Sequence, residues 1–79
     1  MPEGHGTGRL RWRCRRGMKE LDLLLTGYLD VRWPEAPGPE RAAFEAFLEL
    51  PDPDIAGLLL GHAEPPPQFR DLLPRIRRA

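Results

Sequence analysis

The chain has 79 residues, which is enough for one small domain but leaves little apolar core to spare for a deep substrate cavity. Its formal net charge is zero, yet residues 1–20 carry 6 basic and 2 acidic side chains, residues 21–71 carry 3 and 10, and residues 72–79 carry 3 and none. Basic ends around an acidic middle indicate either a polar docking surface or simple solvation with helix-dipole complementarity. Size and charge together favour a surface-acting module over a self-contained enzyme.

Membrane insertion and disulfide bonding are both disfavoured by the sequence. No apolar run approaches the roughly 20 residues that a membrane span needs, and residues 1–8 are polar and glycine-rich, without an apolar signal core. The single cysteine, Cys14, excludes an internal disulfide framework and fits a reducing compartment. We therefore expect a soluble, cytoplasmic protein, and we expect a monomer.

The first 16 residues divide into a tail and a short basic element. Residues 1–8 are predicted to be a disordered tail, and residues 9–79 a single domain. Residues 9–16 read Arg-Leu-Arg-Trp-Arg-Cys-Arg-Arg, an alternation that an edge strand would also show. Leu10 and Cys14 are spaced i, i+4, as on one face of a helix. We favour a short helix ending near Gly17, because no second strand candidate follows.

The strongest helical pattern runs from Met18 to about Val31. One face is apolar at the spacing of a helix, and its members are Leu21, Leu24, Leu25, Tyr28 and Leu29. Three prolines within residues 34–39 prevent the helix from continuing. A third helix is predicted to begin near Pro39, with Glu40 favoured in its first turn by the helix dipole. Its apolar face is Ala43, Phe44, Phe47 and Leu48, and Pro51 ends it.

Two further helices complete the prediction. Asp52-Pro53-Asp54 combines a cap, a proline at the first helical position and an acid in the first turn. The fourth helix carries Ile55, Leu58 and Leu59 and ends at Gly61, a natural C′ residue. Residues 65–67 are a proline linker, and the last helix carries Phe69, Leu72, Leu73 and Ile76. Pro74 should kink or split that helix. The predicted fold is all-α, a small bundle of five helices.

The sequence offers little for catalysis or metal binding, since such sites need converging ligands. His5 lies in the predicted tail and His62 lies just past a helix end. With one cysteine there is no zinc pattern. The glycine-rich residues 4–8 lack the strand and the Gly-Lys-Ser/Thr ending of a phosphate loop. We expect no enzymatic activity, no metal and no stably bound cofactor.

An unusual charged cluster lies where the longest helix begins. Arg15 and Arg16 precede Gly17, and Glu20 follows three positions later. A glycine inside a helix costs about 1 kcal/mol relative to alanine. A pair between Arg16 and Glu20 would return only about 0.2–0.5 kcal/mol. Local stability does not account for the cluster, so we interpret it as serving backbone geometry or a partner.

Two sequence blocks resemble the small FAD assembly factors of succinate dehydrogenase. Residues 12–22, Trp-Arg-Cys-Arg-Arg-Gly-Met-Lys-Glu-Leu-Asp, are similar to the signature of that family, whose hallmark is Arg-Gly-x-x-Glu. A second block, residues 44–55 with the later Leu-Leu-Gly of residues 59–61, is similar to the family's second helical block. The resemblance covers roughly residues 9–66.

The resemblance implies a fold, a partner and a set of functional residues. Family members are five-helix proteins that bind the flavoprotein subunit of succinate dehydrogenase or fumarate reductase and promote covalent attachment of FAD to it, a largely autocatalytic reaction. By matched position, Arg16, Gly17 and Glu20 would carry the function, with Arg15 beside them. Trp12 and the aspartates Asp52 and Asp54 are assigned to the same partner-binding surface.

The chain departs from the family pattern at two positions. The family usually has a tryptophan in the fourth helix, where this chain has Leu58, so an aromatic surface contact would be missing. Pro74 also interrupts a last helix that is normally continuous. Two other classes of function stay open: a nucleic-acid-binding accessory protein that uses the five arginines of residues 9–16 around Trp12, and a small regulatory partner such as a member of a toxin–antitoxin pair.

Overall fold

The computed structural model describes residues 7–79. Most of the predicted tail, residues 1–6, lies outside the described residues, and His5 with it. Six α-helices and one 3-10 turn follow in chain order: α1 (Thr7–Arg13), α2 (Lys19–Val31), the 3-10 turn Trp33–Glu35, α3 (Gly38–Leu48), α4 (Asp52–Leu59), α5 (Pro67–Arg70) and α6 (Leu72–Arg78). Every regular element of this part of the chain is helical, so the predicted all-α fold is confirmed.

The basic N-terminal segment forms a helix and not a strand. Leu10 and Cys14 face the core as their spacing predicted, and Cys14 has no exposed surface. The helix ends at Arg13, earlier than the predicted end near Gly17. The Cys14 amide still donates to the Leu10 carbonyl, but Gly17 has φ +79°, in the left-handed region, which a right-handed helix cannot contain.

Helix α2 is the central element, and it contacts α1, α4, α6 and the 3-10 turn. Its buried face follows the predicted stripe of Leu21, Leu25, Tyr28 and Leu29, with Leu24 partly buried beside them. Aromatic side chains fill the adjacent core. The Tyr28 and Phe44 rings stack with centroids 4.4 Å apart, and the Phe47 and Phe69 rings meet edge-on at 5.2 Å. These contacts join α2, α3 and α5 in one core.

The end of α4 follows the prediction, but its start does not. Gly61 has φ +82°, and the His62 amide donates to the Gly57 carbonyl at 2.7 Å, so glycine closes this helix as expected at C′. Asp52, in contrast, is not the cap. Pro51 precedes the helix without a side-chain cap, and Asp52 is already the first helical residue. Its carboxylate is thereby available for another contact.

The last predicted helix is split in two, as Pro74 indicated. Helix α5 ends at Arg70 and α6 begins at Leu72, with Asp71 between them. In one continuous helix, Pro74 could not donate to the Arg70 carbonyl and its ring would clash there. As the third residue of α6, Pro74 needs no helical acceptor. Among residues 7–79, no helix has the length and apolar character needed to cross a membrane.

Candidate functional site

The candidate site is built around the turn of residues 14–18, which we call the Arg16 turn. It joins α1 to α2 and is anchored at one end by the buried Cys14. At the other end Met18 has extended backbone (φ −118°, ψ 106°) and precedes α2. Gly17, between them, lies at the surface, and a Cβ built on it would meet nothing within 4 Å. Glycine is favoured here because φ is left-handed (+79°), and not because a side chain would collide with the rest of the protein.

Arg16 is turned inward and ties the Arg16 turn to two other helices. One guanidinium nitrogen (Nη1) donates to the Asp52 carboxylate at 3.2 Å, at the start of α4, and the other (Nη2) donates to the Leu48 carbonyl at the end of α3. The Arg16 amide donates to the Asp22 carboxylate at 2.6 Å. Only 17% of the Arg16 side chain is exposed. The arginine of the hallmark thus makes a three-way structural contact.

Glu20 lies on the exposed side of the first turn of α2. Its carboxylate has no hydrogen-bond or ion-pair partner among residues 7–79, so the pair with Arg16 that the sequence suggested is not formed. Arg16 is committed to Asp52 instead. Glu20 and Gly17 are consequently the members of the hallmark that the fold presents to solvent.

Trp12 and Arg15 form a second exposed group on α1 and the adjoining turn. The Trp12 side chain is 75% exposed, the largest value among the bulky apolar residues of the described chain. The Arg15 guanidinium carbon lies 5.8 Å from the Trp12 ring centroid, within cation–π range. Nearby, Arg11 is held by Asp30 at 2.6 Å. Gly8, Arg11, Trp12 and Arg15 line a shallow hollow.

The other arginines of this segment are partly neutralised by the protein itself. Arg11 pairs with Asp30, and Arg13 pairs with Glu49 at 2.8 Å and also donates to the Glu45 carbonyl. The basic cluster that suggested nucleic-acid binding is therefore interleaved with acidic side chains at the surface. Binding to nucleic acid stays an untested alternative, with three of the five arginines, Arg11, Arg13 and Arg16, already paired with carboxylates.

The structure separates the two aspartates of the second block. Asp52 is engaged internally by Arg16, whereas Asp54 is exposed and makes no side-chain hydrogen bond within residues 7–79. Asp54 instead lines a shallow apolar groove beside Leu50 and Phe69. Leu58 borders the same groove but is only 6% exposed, so in this chain the position is mainly a core position.

Sequence reasoning missed Glu40, the side chain with the most hydrogen bonds within residues 7–79. It accepts hydrogen bonds from the Tyr28 hydroxyl (2.7 Å), from Arg32 (2.9 and 2.8 Å) and from Arg75 (3.0 Å), and it is 8% exposed. Arg32, and then Tyr28, lower the pKa of Glu40 to about 2, against the opposing effect of burial. The sequence indicated only an acid favoured by a helix dipole. We call these four side chains the Glu40 cluster.

The remaining titratable groups do not converge. No group of three histidine, cysteine, aspartate or glutamate side chains within residues 7–79 is arranged to hold a metal ion. Burial raises the pKa of the Cys14 thiol to about 11, so this cysteine is a poor nucleophile at neutral pH. His62 is exposed after the end of α4. In and beside the Arg16 turn, the exposed groups are the Gly17 backbone, the Trp12 ring, the Arg15 guanidinium and the Glu20 carboxylate, which is unpaired within residues 7–79.

The fold and the site define a small helical binding module with a preformed surface turn. Comparison with known proteins gives the family. Residues 8–79 match the family described as flavinator of succinate dehydrogenase, and the chain belongs to that family. The resemblance found in the sequence is thereby confirmed.

Curated relatives agree with the family match. The protein named FAD assembly factor SdhE in Coxiella burnetii is 34% identical over 79 residues, which is 99% of this chain and 96% of that relative. Its namesake in Methylococcus capsulatus is 50% identical over 58 residues, covering 73% of this chain and 70% of the relative. No match was found among solved structures.

Proposed function

We propose that this protein is an assembly factor that binds the flavoprotein subunit of succinate dehydrogenase or fumarate reductase and promotes covalent attachment of FAD to that subunit. The family match and the names of its relatives support the role. The observation that carries the proposal in this chain is the Arg16 turn. It holds Gly17 at the surface next to Glu20 in the first turn of α2, and neither residue has a side-chain partner within residues 7–79.

The docking surface that we propose has two parts. At the Arg16 turn, Gly17 lets the backbone of the flavoprotein approach closely, and Glu20 accepts hydrogen bonds from it. On α1, Trp12 and Arg15 supply an exposed aromatic and a cation, the residue types that dominate the binding energy of many interfaces. Asp54 lies at the edge of this docking surface, whereas Asp52 contributes indirectly, through its contact with Arg16.

The protein acts by stabilising one conformation of its partner. In that conformation FAD would be seated with its methyl group beside a histidine of the flavoprotein. The methyl group would lose a proton, the histidine nitrogen would add to that carbon and give up its own proton, and the flavin ring would take up the two electrons and end reduced. The bond-forming chemistry belongs to the flavin and the flavoprotein, and the factor contributes binding energy and orientation. It is not itself an enzyme under this proposal, it holds no FAD stoichiometrically, and it works as a monomer in the cytoplasm.

The test is reconstitution with the purified flavoprotein subunit and free FAD. We expect the wild-type factor to raise the yield of covalently bound flavin, measured as in-gel fluorescence of the denatured flavoprotein. The factor alone should be colourless. The two hollows that lie beside Glu40 and beside Asp54 are shallow and open to solvent, so neither encloses a dinucleotide.

Two controls keep the result interpretable. Bovine albumin at the same concentration tests for non-specific protection of the flavoprotein. A titration with a labelled DNA duplex tests the alternative function. Salt-sensitive duplex binding with no effect on flavin attachment would replace the proposed function with the nucleic-acid alternative, and a yellow factor carrying one flavin per chain would refute the cofactor proposal.

A further inference from the structure

Arg16 is the residue of the hallmark whose position differs most from a surface docking role. Its side chain is 17% exposed, and its guanidinium already donates to Asp52 and to the Leu48 carbonyl. The Nε atom is also buried and has no hydrogen-bond partner within residues 7–79. A partner that bound the guanidinium fork of Arg16 would have to displace these contacts.

The contacts of Arg16 join parts of the chain that are distant in sequence. Asp52 begins α4 and Leu48 ends α3, and they lie 36 and 32 residues beyond Arg16. The backbone of the same residue is fixed separately, because its amide donates to Asp22 in the first turn of α2. Side chain and backbone together attach one residue to three helices.

The residue that follows Arg16 is the one with the greatest backbone freedom in the turn. Gly17 follows Arg16 directly, and its left-handed backbone places no side chain against the rest of the protein. Glycine has the greatest backbone freedom of any residue, so a free turn here would sample many conformations. Immobilising such a segment before binding removes an entropy cost from the complex.

We propose that Arg16 is a positioning residue, which acts on the flavoprotein through the turn it immobilises and does not contact the flavoprotein itself. Its hydrogen bonds to Asp52 and Leu48, which we call the Arg16 clamp, hold residues 14–18 in the conformation that presents Gly17 beside Glu20 of α2. This inference rests on the proposed function. Under this proposal Arg16 acts from inside the protein, and only Gly17 and Glu20 of the hallmark contact the flavoprotein.

The test compares Arg16→Ala with a matched control, Arg77→Ala. Arg77 is also an arginine fork on the carbonyls of a helix end, since it donates to Leu59 at 3.0 Å and to Leu58 at 2.7 Å. Arg77→Ala removes two carbonyl contacts at the end of α4, whereas Arg16→Ala removes a carboxylate contact at the start of α4 and a carbonyl contact at the end of α3. Both should lower the melting temperature, but only Arg16→Ala should loosen the turn.

Two measurements separate positioning from direct contact. Amide hydrogen exchange of Arg15 and Arg16 in the free factor reports the order of the turn, and titration with the purified flavoprotein reports affinity. For Arg16→Ala we expect exchange at least about tenfold faster and affinity about tenfold weaker. For Arg77→Ala we expect both quantities to stay near wild type.

A double-mutant cycle strengthens the assignment. Asp52→Ala should also weaken binding several-fold, and the Arg16→Ala/Asp52→Ala double variant should bind no worse than Arg16→Ala alone, because one clamp is lost in each case. Additive losses would contradict a shared clamp.

Three other outcomes would overturn the inference. If Arg16→Ala weakens binding while turn exchange is unchanged, Arg16 contacts the flavoprotein directly. If the turn loosens and affinity is unchanged, its order does not matter for docking. If the wild-type factor does not bind the flavoprotein, the proposed function fails and this inference with it.

Discussion

Two arginine–carboxylate contacts in this small protein have opposite surroundings. In the Glu40 cluster, a buried carboxylate receives two arginines and a tyrosine. At the Arg16 turn, a mostly buried arginine reaches a half-exposed aspartate and a helix end, and open surface lies one residue away. The first arrangement buries one carboxylate beneath two partly exposed arginines and joins helices, whereas the second joins helices and leaves a glycine and a glutamate exposed to solvent. Both sites use an arginine–carboxylate contact. What distinguishes the proposed docking site from the structural one is that its neighbouring residues, Gly17 and Glu20, are exposed.

The comparison is tested most strongly at Glu40. Glu40→Ala leaves the Tyr28 hydroxyl and two arginines without their acceptor, and we expect a loss of about 3 kcal/mol of unfolding free energy. Thermal and urea unfolding give the measurement. Glu45→Ala, an exposed acid on the same helix, should change stability by less than about 0.5 kcal/mol. If Glu40→Gln stayed fully stable yet failed in flavin attachment, the cluster would belong to the functional site.

Gly17→Arg tests the other side of the comparison. The left-handed backbone should cost about 1–2 kcal/mol of stability for any residue with a Cβ. Gly17→Ala should therefore also lower the stability of the folded protein. The arginine side chain should in addition hold the flavoprotein away and weaken binding by about a hundredfold or more. Gly61→Arg is the matched control, because Gly61 has φ +82° and an equally open Cβ position. It should lose the same stability and keep its affinity.

Acid should weaken the Glu40 cluster selectively. The pKa of Glu40 is lowered from 4.5 to about 2 in the folded protein, mainly by Arg32. Its contribution to stability is therefore complete above about pH 4.5 and is lost as the pH falls toward 2. We expect about 2 kcal/mol, reduced by solvent screening of the half-exposed arginines. Melting curves from pH 6 to pH 2 measure it, and Glu40→Gln should lack this part of the decline.

Glu20→Ala should have the smallest effect on the fold. Because the carboxylate makes no ion pair within residues 7–79, we expect a stability change of a few tenths of a kcal/mol. Flavoprotein binding should weaken by roughly thirtyfold, about 2 kcal/mol. Glu35→Ala, an exposed acid in the 3-10 turn, serves as the control in the same titration. Equal affinities for both variants would remove Glu20 from the interface.

Local patterns predicted most of the fold because its helices depend on local signals. The leucine stripe of α2, the glycine after α4 and the proline within the last helix each act through neighbours a few residues away, and each prediction was confirmed. The premature end of α1 was missed because the left-handed conformation of Gly17 has no signature apart from glycine itself.

The internal contacts of the site could not be predicted in the same way. The hallmark includes Arg16, but the acceptors of its side chain lie more than 30 residues away, and one of them is a backbone carbonyl, which no side-chain pattern indicates. Glu40 similarly collects partners 8, 12 and 35 residues distant. Composition identified the charged residues, whereas their pairing depends on how the helices pack.

The burial of Cys14 provides a built-in reporter of local opening. It is the only cysteine in the sequence, it has no exposed surface, and its raised pKa keeps the thiol protonated. An alkylating reagent can therefore react only when α1 transiently separates from the core, and the labelling rate measures how often that occurs. In complex with the flavoprotein the same rate would show whether docking suppresses this excursion. The labelling rate of the Cys14 thiol thus reports how often the part of the molecule that carries Trp12 and the Arg16 turn opens.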